Sequence, residues 1–390
     1  MKIFVIGTID NKGGAALISW ELRKKLKADG HTVNTFVRYK YSNESDVFKI
    51  PRKRYQDWLV KLFANDLKFA WTDYLLKTKE FKEADIIHCH NLHSNFFDLK
   101  TLQKMSKLKP VVWTLHDIWA ITGFANNSAT LRNPNKKRFL FFLWDNTSNL
   151  LKTKAEIYNK SKLYLVTVSE WLKKETQKSI LGKQNITCIY NDVDVKIFKP
   201  QNKEFARKEL GLPLDKKIIM FGIKGLLDSN KIVDHYIDNN DVFFVEIGDS
   251  HIKTKNKNYL SLPVTKDRGL FAKYLSSADI FLNPTQADSF GLLCAEAMAC
   301  GTPVVTYNVD AIPEIVIHKE TGYVAKYRNV DDLKRGIGYI LNLPKNEYND
   351  MSKNARERIV NNFSNEKMYK EYLELYNTLL RPQHKGQSKN

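Results

Sequence analysis

Residues 283–303 have the sequence NPTQADSFGLLCAEAMACGTP, and this stretch decides the fold. An apolar run ending at Leu282 predicts a buried strand, and the polar residues that follow it predict a loop. Small and apolar residues from Leu292 to Cys300 predict a helix, which Gly301 and Pro303 would end. A strand, a loop and a helix in this order form the repeating unit of α/β proteins.

Two carboxylates lie near the start of this predicted helix. Asp288 is in the loop and Glu296 is about one turn inside the helix, so both can point toward one ligand above the helix N-terminus. The two oxygens of a carboxylate can accept hydrogen bonds from a vicinal diol, and the helix dipole favours phosphate. The alternative is that Asp288 caps the helix and Glu296 belongs to a solvated helix face.

The same alternation extends in both directions along the chain. One series of apolar runs predicts strands at Ile3–Ile6, Thr32–Val37, Ala84–His88, Pro110–Leu115, Leu163–Val168 and Ile186–Tyr190. A second series predicts strands at Lys217–Phe221, Val242–Ile247, Asp279–Leu282 and Thr302–Tyr307. Helical patterns between the runs favour an α/β protein with two Rossmann-like, doubly wound parallel-sheet domains that face each other across a cleft.

The length of 390 residues suits two cores of this size. The predicted domains are residues 1–195 and 196–362, and an aperiodic linker covers 192–200. An amphipathic helix over 363–380 is expected to pack back on the first domain. The polar tail at 381–390 is expected to be flexible.

The apolar runs and the cysteines of the sequence indicate in which cellular compartment the protein is expected. No apolar run approaches the roughly 18 to 20 residues of a membrane-spanning helix, and the first apolar run is too short for a secretory leader. The four cysteines have no paired spacing, so neither a disulfide framework nor a zinc ribbon is indicated. The cytoplasm is the expected compartment.

Charge is distributed unevenly. Residues 1–190 contain 33 Lys and Arg against 17 Asp and Glu, a net charge of +16, while the remaining residues contribute only +3. A basic first half suggests a polyanionic partner, either nucleic acid or an anionic membrane leaflet. The alternative is that the charge serves only solubility.

A glycine-bearing loop follows the first predicted strand, with the sequence GTIDNKGGAA at residues 7–16. Neither the G-x-G-x-x-G dinucleotide fingerprint nor a Walker sequence is present, so ordinary nicotinamide or ATP binding is disfavoured. Gly13 and Gly14 allow close backbone approach, and the helix that follows could bind an anion at its N-terminus. A tight turn without a ligand is the alternative.

Taken together, these motifs resemble the GT4 family of retaining glycosyltransferases, which have the GT-B fold. The stretch from Asp288 to Glu296 is similar to the E-x7-E signature of that family. Further matching segments span nearly the whole chain: Gly13-Gly14, ADIIHCHN at 84–91, WTLHD at 113–117, VSEWL at 168–172, NDVDVKIFKP at 191–200, SSADIFLNP at 276–284, IPEIV at 312–316 and ETG at 320–322.

The resemblance implies roles for residues of the second domain. Glu296 matches the glutamate that binds the nucleotide ribose, and Asp288 matches the one that contacts the transferred sugar. The backbone N–H groups of Phe290, Gly291 and Leu292 would assist Asp288, although the family more commonly has glutamate at this position. For the arginine and lysine that neutralise the diphosphate, this sequence offers no arginine, so Lys224 and Lys231 are the candidates. Lys231 is preferred because a helix is predicted to begin there.

In the first domain, the resemblance implies that His116, at the end of a buried strand, faces the donor sugar and is a catalytic residue together with Asp288. It also implies that Gly13 and Gly14 bind the donor. Without the resemblance, a satisfied loop histidine is the ordinary interpretation of His116. The cluster at residues 88–93 includes His88, Cys89 and His90, but strand alternation places Cys89 on the opposite face, so no metal site is predicted. His90 and Asn91 are expected to line the acceptor side.

The resemblance implies transfer of a hexose from a UDP or GDP sugar with retention of configuration, without a cofactor or a metal ion. Two aromatic-basic segments, 52–71 and 136–144, predict contact with an anionic membrane surface, with core packing of the aromatics as the alternative. A lipid-linked glycan is therefore the expected acceptor, in polysaccharide, lipopolysaccharide or capsule biosynthesis. The protein would be cytoplasmic and peripheral at the inner face of the membrane, with no nucleic-acid partner. A catalytically silent protein that binds nucleotide sugar or glycan on the same fold is the alternative.

Overall fold

The computed structural model describes residues 1–63, 65–67, 69–132, 146–222, 226–248 and 256–381. The chain forms two compact units. Unit 1 comprises Met1–Ile189 and the chain from Met368 onward, and unit 2 comprises Tyr190–Lys367. The expected boundary at 195/196 thus differs from the division at 189/190. The tail beyond 381, predicted to be flexible, lies outside the described residues.

Unit 1 is built on a seven-stranded sheet with the order β3-β2-β1-β4-β5-β6-β7. Its strands are β1 Lys2–Ile9, β2 Thr32–Tyr39, β3 Val47–Lys49, β4 Ile86–Cys89, β5 Val111–Leu115, β6 Tyr164–Thr167 and β7 Asn185–Cys188. The described helices are α1 Gly14–Ala28, α2 Arg54–Phe63, α3 Lys79–Glu83, α4 Leu99–Leu108, α5 Ser128–Arg132, α6 Thr147–Asn159 and α7 Glu170–Gln177. Short 3₁₀ turns cover Asp73–Lys77 and Trp119–Ile121.

Unit 2 is built on a six-stranded sheet with the order β10-β9-β8-β11-β12-β13. Its strands are β8 Lys217–Gly222, β9 Val242–Ile247, β10 Tyr259–Leu262, β11 Ile280–Asn283, β12 Val304–Tyr307 and β13 Gly322–Ala325. Its helices are α8 Lys203–Leu210, α9 Leu226–Tyr236, α10 Arg268–Ser277, α11 Leu292–Ala299, α12 Ile312–Ile315, α13 Val330–Leu341 and α14 Lys345–Asn362.

Every described strand pair is parallel, which confirms the predicted fold class. The central strands are apolar on both faces because helices cover both sides of a parallel sheet. All five residues of β5 and all four of β11 are buried. Parallel strands bring their carboxyl ends to one edge of each sheet, so the loops after β1, β4, β5 and β11 are where ligands are expected.

The last helix, α15 (Asn365–Leu380), carries two tyrosines into the core of unit 1. The Tyr372 hydroxyl lies 2.9 Å from Thr114 Oγ1, and the Tyr376 hydroxyl lies 2.7 Å from His88 Nδ1. Both tyrosines are almost completely buried. These hydrogen bonds fix the helix to strands β4 and β5.

Candidate functional site

The loop before α11 depends on a glycine. Gly291 has φ +97°, which side chains other than glycine rarely adopt, and a Cβ there would lie 2.8 Å from Ile312 Cδ1. Asp288 folds back on this loop: its Oδ1 accepts hydrogen bonds from Phe290 N at 3.2 Å and Gly291 N at 2.8 Å. The Asp288 N–H in turn donates to Asp310 Oδ2 at 3.1 Å.

This arrangement brings Asp288, Phe290 and Gly291 together, but it also engages donors that were assigned to a sugar. The N–H groups of Phe290 and Gly291 donate to the short side chain of Asp288, as in an Asx turn. Leu292 begins α11, where backbone N–H groups have no carbonyl partner one turn earlier in the helix. A sugar bound here would therefore compete with Asp288 for two donors.

Glu296 lies one turn inside α11 and is only 8% exposed. Burial raises the pKa of its carboxyl group to about 8; Arg268 acts against this shift and Asp192 adds to it. No hydrogen bond reaches this carboxyl group from the part of the chain that the structure describes. A buried, protonated carboxyl group can both donate to and accept from the two hydroxyls of a diol.

The charges of Arg268 and Asp192 act on Glu296, and the sequence reasoning gave neither residue a role. Arg268 opens α10 directly after the N-cap Asp267, and nothing in its local sequence points to Glu296. Asp192 belongs to the segment at 191–200 that resembles the family, but the resemblance gave this residue no role. Both influence the ionisation of Glu296.

The preference for Lys231 as the diphosphate ligand rested on a wrong helix start. Helix α9 begins at Leu226, so Lys231 lies more than one turn inside it. Its side chain is 64% exposed, with Nζ 3.7 Å from Asp228 Oδ1. Lys224 lies outside the described residues.

In unit 1, three histidines lie in a buried column at the ends of β4 and β5. The ring centroids of His88 and His90 are 4.2 Å apart, and those of His90 and His116 are 5.3 Å apart. His90 Nδ1 lies 3.0 Å from His116 Nε2, while His88 Nε2 lies 2.8 Å from Thr114 Oγ1. His88 and His90 therefore share a face of the strand, as predicted.

Burial keeps these rings neutral. It lowers the pKa of His88 to about 3 and that of His116 to about 4, and it lowers the pKa of His90 well below its ordinary value. His116 Nδ1 is buried without a hydrogen-bond partner among the described residues. A neutral imidazole with one open nitrogen can exchange a hydrogen bond with a sugar hydroxyl, and it is a poor general acid near pH 7.

A pocket of about 370 Å³ in unit 1 brings four of the predicted residues together. It is lined by Gly13, Gly14, His90 and Asn91, among others. Gly13 has φ +86° and precedes α1, with no side-chain cap on the free N–H groups of that helix. These N–H groups, with the polar side chains among the lining residues, suit a hydroxylated or anionic ligand.

Of the aromatic-basic segments, only 52–71 can be described, because 136–144 lies outside the described residues. Helix α2 buries Gln56 and Val60 on one side and leaves its other side open. We use the name exposed aromatic face for the exposed apolar side chains of α2 together with Trp71, which follows the helix in sequence. The exposed fractions are Tyr55 48%, Trp58 61%, Leu62 47%, Phe63 55% and Trp71 63%. These side chains are not core residues, so the alternative of core packing is wrong for them.

The basic residues beside this face divide into two kinds. Lys53 and Arg54 are exposed. Arg52 is not available to a partner, because its side chain is only 7% exposed and its Nε donates to Asp57 Oδ1 at 2.8 Å.

Comparison with known proteins identifies the family. The model described as "Glycosyltransferase Family 4" matches residues 12–197, and the model described as "Glycosyl transferases group 1" matches residues 249–358. The chain belongs to the family 4 glycosyltransferases.

Relatives of this glycosyltransferase are distant. N-acetyl-alpha-D-glucosaminyl L-malate synthase of Bacillus anthracis is 27% identical over 57% of this chain and 61% of that enzyme. The capsular polysaccharide biosynthesis glycosyltransferase CapM of Staphylococcus aureus is 24% identical over 56% of this chain and 62% of its own length. The matches thus cover less than two thirds of these two relatives. An uncharacterized glycosyltransferase of Methanocaldococcus jannaschii is 25% identical over 85% of both chains.

Solved structures show that the fold of this glycosyltransferase is GT-B. Sucrose-phosphate synthase from Thermosynechococcus elongatus superimposes with a TM-score of 0.73 at 18% identity, over 97% of this chain and 99% of that one. HepE from Anabaena, solved in complex with UDP, gives a TM-score of 0.71 at 16% identity, over 97% of this chain and 100% of that one.

Two further observations concern what this glycosyltransferase could bind. Among the described residues, no group of three or more His, Cys, Asp or Glu side chains is placed to hold a metal ion. Within the same ranges, none of the helices has the length and apolar character needed to span a bilayer.

Proposed function

We propose that this glycosyltransferase moves a hexose from a UDP or GDP sugar to a glycan acceptor, with retention of configuration and without a metal ion or cofactor. The observation that carries this proposal is Glu296, a buried carboxyl group that receives no hydrogen bond from the described residues and lies one turn inside α11. A pentose diol would supply the missing partners. The complex of HepE with UDP-glucose, a protein of the same fold, supports a nucleotide sugar as the donor.

In the proposed reaction, Glu296 binds the ribose and the N-terminus of α11 stabilises the charge that develops on the leaving diphosphate. The bond between the sugar anomeric carbon and the diphosphate oxygen breaks as the acceptor oxygen attacks from the same face. The acceptor proton passes to the departing phosphate oxygen. We assign Asp288, with the N–H groups of Phe290, Gly291 and Leu292, to the transferred sugar.

We assign the histidine end of unit 1 to the remaining contacts. His116 is neutral, so a sugar hydroxyl that reaches its buried, unpartnered Nδ1 would form a hydrogen bond without adding charge. Gly13, Gly14, His90 and Asn91 line the 370 Å³ pocket, which we assign to the acceptor. This assignment moves Gly13 and Gly14 from the donor to the acceptor.

Measuring nucleotide binding and release tests the donor assignment. We expect Glu296→Ala to lose at least about tenfold in affinity for UDP or GDP by calorimetry, because two hydrogen bonds to the ribose disappear. Lys231→Met is the matched control and should bind normally, because its side chain is exposed on α9. Wild-type affinity in Glu296→Ala would refute the assignment.

A catalytically silent protein on the same fold is the second candidate. It is favoured by the Asp288 side chain, because its Oδ1 already accepts hydrogen bonds from two N–H groups of its own loop. A panel of nucleotide sugars decides between the two. Nucleotide release supports the enzyme, and binding without release supports the silent protein.

We further propose that the acceptor is lipid-linked, that the enzyme works at an anionic membrane surface in the cytoplasm, and that its product enters polysaccharide or capsule synthesis. The exposed aromatic face supports this proposal, since large apolar side chains beside Lys53 and Arg54 suit shallow burial among anionic headgroups. The relative CapM has a name that places it in capsular polysaccharide biosynthesis.

Vesicle sedimentation tests the membrane proposal. The double variant Trp58→Ser, Trp71→Ser should lose binding to phosphatidylcholine vesicles that contain phosphatidylglycerol, because both side chains are more than 60% exposed on the aromatic face. Phe205→Ser, which removes an aromatic side chain that is 61% exposed in unit 2, is the control. Equal binding of all three proteins would refute the proposal. Binding to DNA instead, lost on adding salt, would indicate a nucleic-acid partner.

A further inference from the structure

The loop that follows β5 carries His116 at its first position and runs to Gly123. Helix α6 approaches this loop unusually closely. A Cβ at Gly123 would lie 2.6 Å from Thr147 Cγ2 and 3.0 Å from Thr147 Cα, so the glycine permits the contact. This close approach brings the side chains of α6 within reach of the loop backbone.

Lys154, on α6, is 0% exposed, and its ammonium group is directed into this loop. Nζ donates to three backbone carbonyls: Trp119 O at 2.7 Å, Thr122 O at 2.9 Å and Gly123 O at 3.2 Å. A protonated lysine has three N–H donors, so the three carbonyls use all of them. One buried cation thus ties together the residues from 119 to 123.

The Trp119 side chain is held between opposite charges. Lys154 Nζ lies 3.7 Å from the centroid of the Trp119 ring, and the indole Nε1 donates to Asp66 Oδ2 at 2.8 Å. The backbone N–H of Trp119 donates to Asp117 Oδ1 at 2.8 Å, and Asp117 Oδ2 lies 3.1 Å from His93 Nε2. The loop is therefore fixed from α6, from residue 66 and from the loop after β4.

Burying an ammonium group in this space carries a desolvation cost, because the charge is removed from water. A methionine would occupy a similar volume without the cost of removing a charge from water, and exchanging a buried ion for an apolar side chain is often neutral or stabilising. What only the lysine provides is the set of three directed hydrogen bonds. Its placement is explained by loop geometry better than by packing.

We propose that Lys154 is a positioning residue of the transfer reaction, which fixes the loop carrying His116 by binding the carbonyl groups of Trp119, Thr122 and Gly123. This inference rests on the proposed function of His116. Lys154 does not touch the substrate; it acts through the backbone that follows His116.

The protonation of Lys154 gives this role a pH dependence. Burial lowers its pKa to about 7, while the Asp66 and Asp117 carboxylates act against that shift. Among the described residues, further titratable groups that face this region include His116, His93, which lies beside Asp117, and Tyr158, whose hydroxyl donates to Ala120 O at 3.2 Å. Above the pKa, a neutral amine has two N–H donors for three carbonyls, so one hydrogen bond is lost.

The test compares Lys154→Met and Lys154→Arg with Lys152→Met, which makes the same change at an exposed position of the same helix. The assay uses the nucleotide sugar that the donor panel identifies. Lys154→Met should lower kcat about tenfold or more and leave KM for the donor within about twofold, because displacing His116 slows the reaction more than it weakens substrate binding. Lys154→Arg, charged at every pH, should recover part of kcat and lack the fall in kcat that the wild type shows as pH rises through about 7. Lys152→Met should behave like the wild type.

Hydrogen exchange of the backbone at 116–123 provides a readout that needs no turnover. Exchange should be faster in Lys154→Met than in Lys152→Met, and Lys154→Arg tests the same point if the methionine variant does not fold. Equal exchange, or wild-type kcat and pH profile in the Lys154 variants, would overturn the inference. Failure of the wild type to release nucleotide from any donor would instead refute the proposed function, and exchange would still decide whether Lys154 holds the loop.

Discussion

The buried carboxyl group of Glu296 makes the stability of unit 2 depend on pH. Because burial raises its pKa from 4.5 to about 8, the folded state keeps a proton that the unfolded state releases between these values. The contribution of this proton to the free energy of unfolding is therefore present at low pH and is lost as pH rises from about 4.5 through about 8. The loss amounts to roughly 5 kcal/mol when the whole shift is counted.

Glu296→Gln removes this titration while keeping the shape of the side chain. We expect the wild type to lose several kcal/mol of unfolding free energy relative to Glu296→Gln between pH 5 and pH 8. Arg268 opposes the shift, so Arg268→Met should enlarge the loss in the wild-type background.

The assay has to separate the two units. Hydrogen exchange in increasing urea, measured on peptides that cover 280–300, reports unit 2. All seven tryptophans lie between Trp20 and Trp171, so tryptophan fluorescence reports unit 1 and serves as the internal reference. Parallel pH profiles for wild type and Glu296→Gln in the unit 2 peptides would refute the argument that Glu296 is buried in its protonated form.

Three further predictions concern single contacts. Gly291→Ala should destabilise unit 2 by about 1–3 kcal/mol through its positive φ and its 2.8 Å approach to Ile312 Cδ1; adding Ile312→Val should restore part of this loss in urea unfolding, and an absence of any cost would contradict the loop geometry. Tyr376→Phe should lower the unfolding free energy of unit 1, measured by tryptophan fluorescence, by about 1–3 kcal/mol, because it leaves the buried His88 Nδ1 without its partner at 2.7 Å. Tyr369→Phe, on the same helix, should lower it less, and equal losses would contradict the role of the bond between Tyr376 and His88. Lys231→Met should leave UDP or GDP affinity within about twofold, since its side chain is 64% exposed; a loss of tenfold or more would return Lys231 to the diphosphate site.

The predictions for helices α11 and α9 differ in how well the local sequence marked the start of each helix. The signals around α11 are local: Gly291 before the helix, Gly301 after it and an apolar strand before the loop. They placed Asp288 and Glu296 correctly with respect to the helix. The start of α9 was predicted too late, because the residues directly before Lys231, at 228–230, are Asp, Ser and Asn, which favour a helix N-terminus but here lie inside the helix.

The sequence by itself determined the α/β class, the two parallel sheets and the positions of ten of the thirteen described strands, because apolar runs and the turns between them are signals that extend over only a few residues. The short strands β3, β10 and β13 were not predicted. Tertiary structure alone decided which charges meet. The Lys154 ammonium group binds carbonyls more than 30 residues away, and His88 pairs with Tyr376 across 288 residues. Burial then set the ionisation of Glu296, His116 and Lys154. The physical reason is that desolvation and directed hydrogen bonds depend on every element packed around a group, and no local stretch of sequence contains that information.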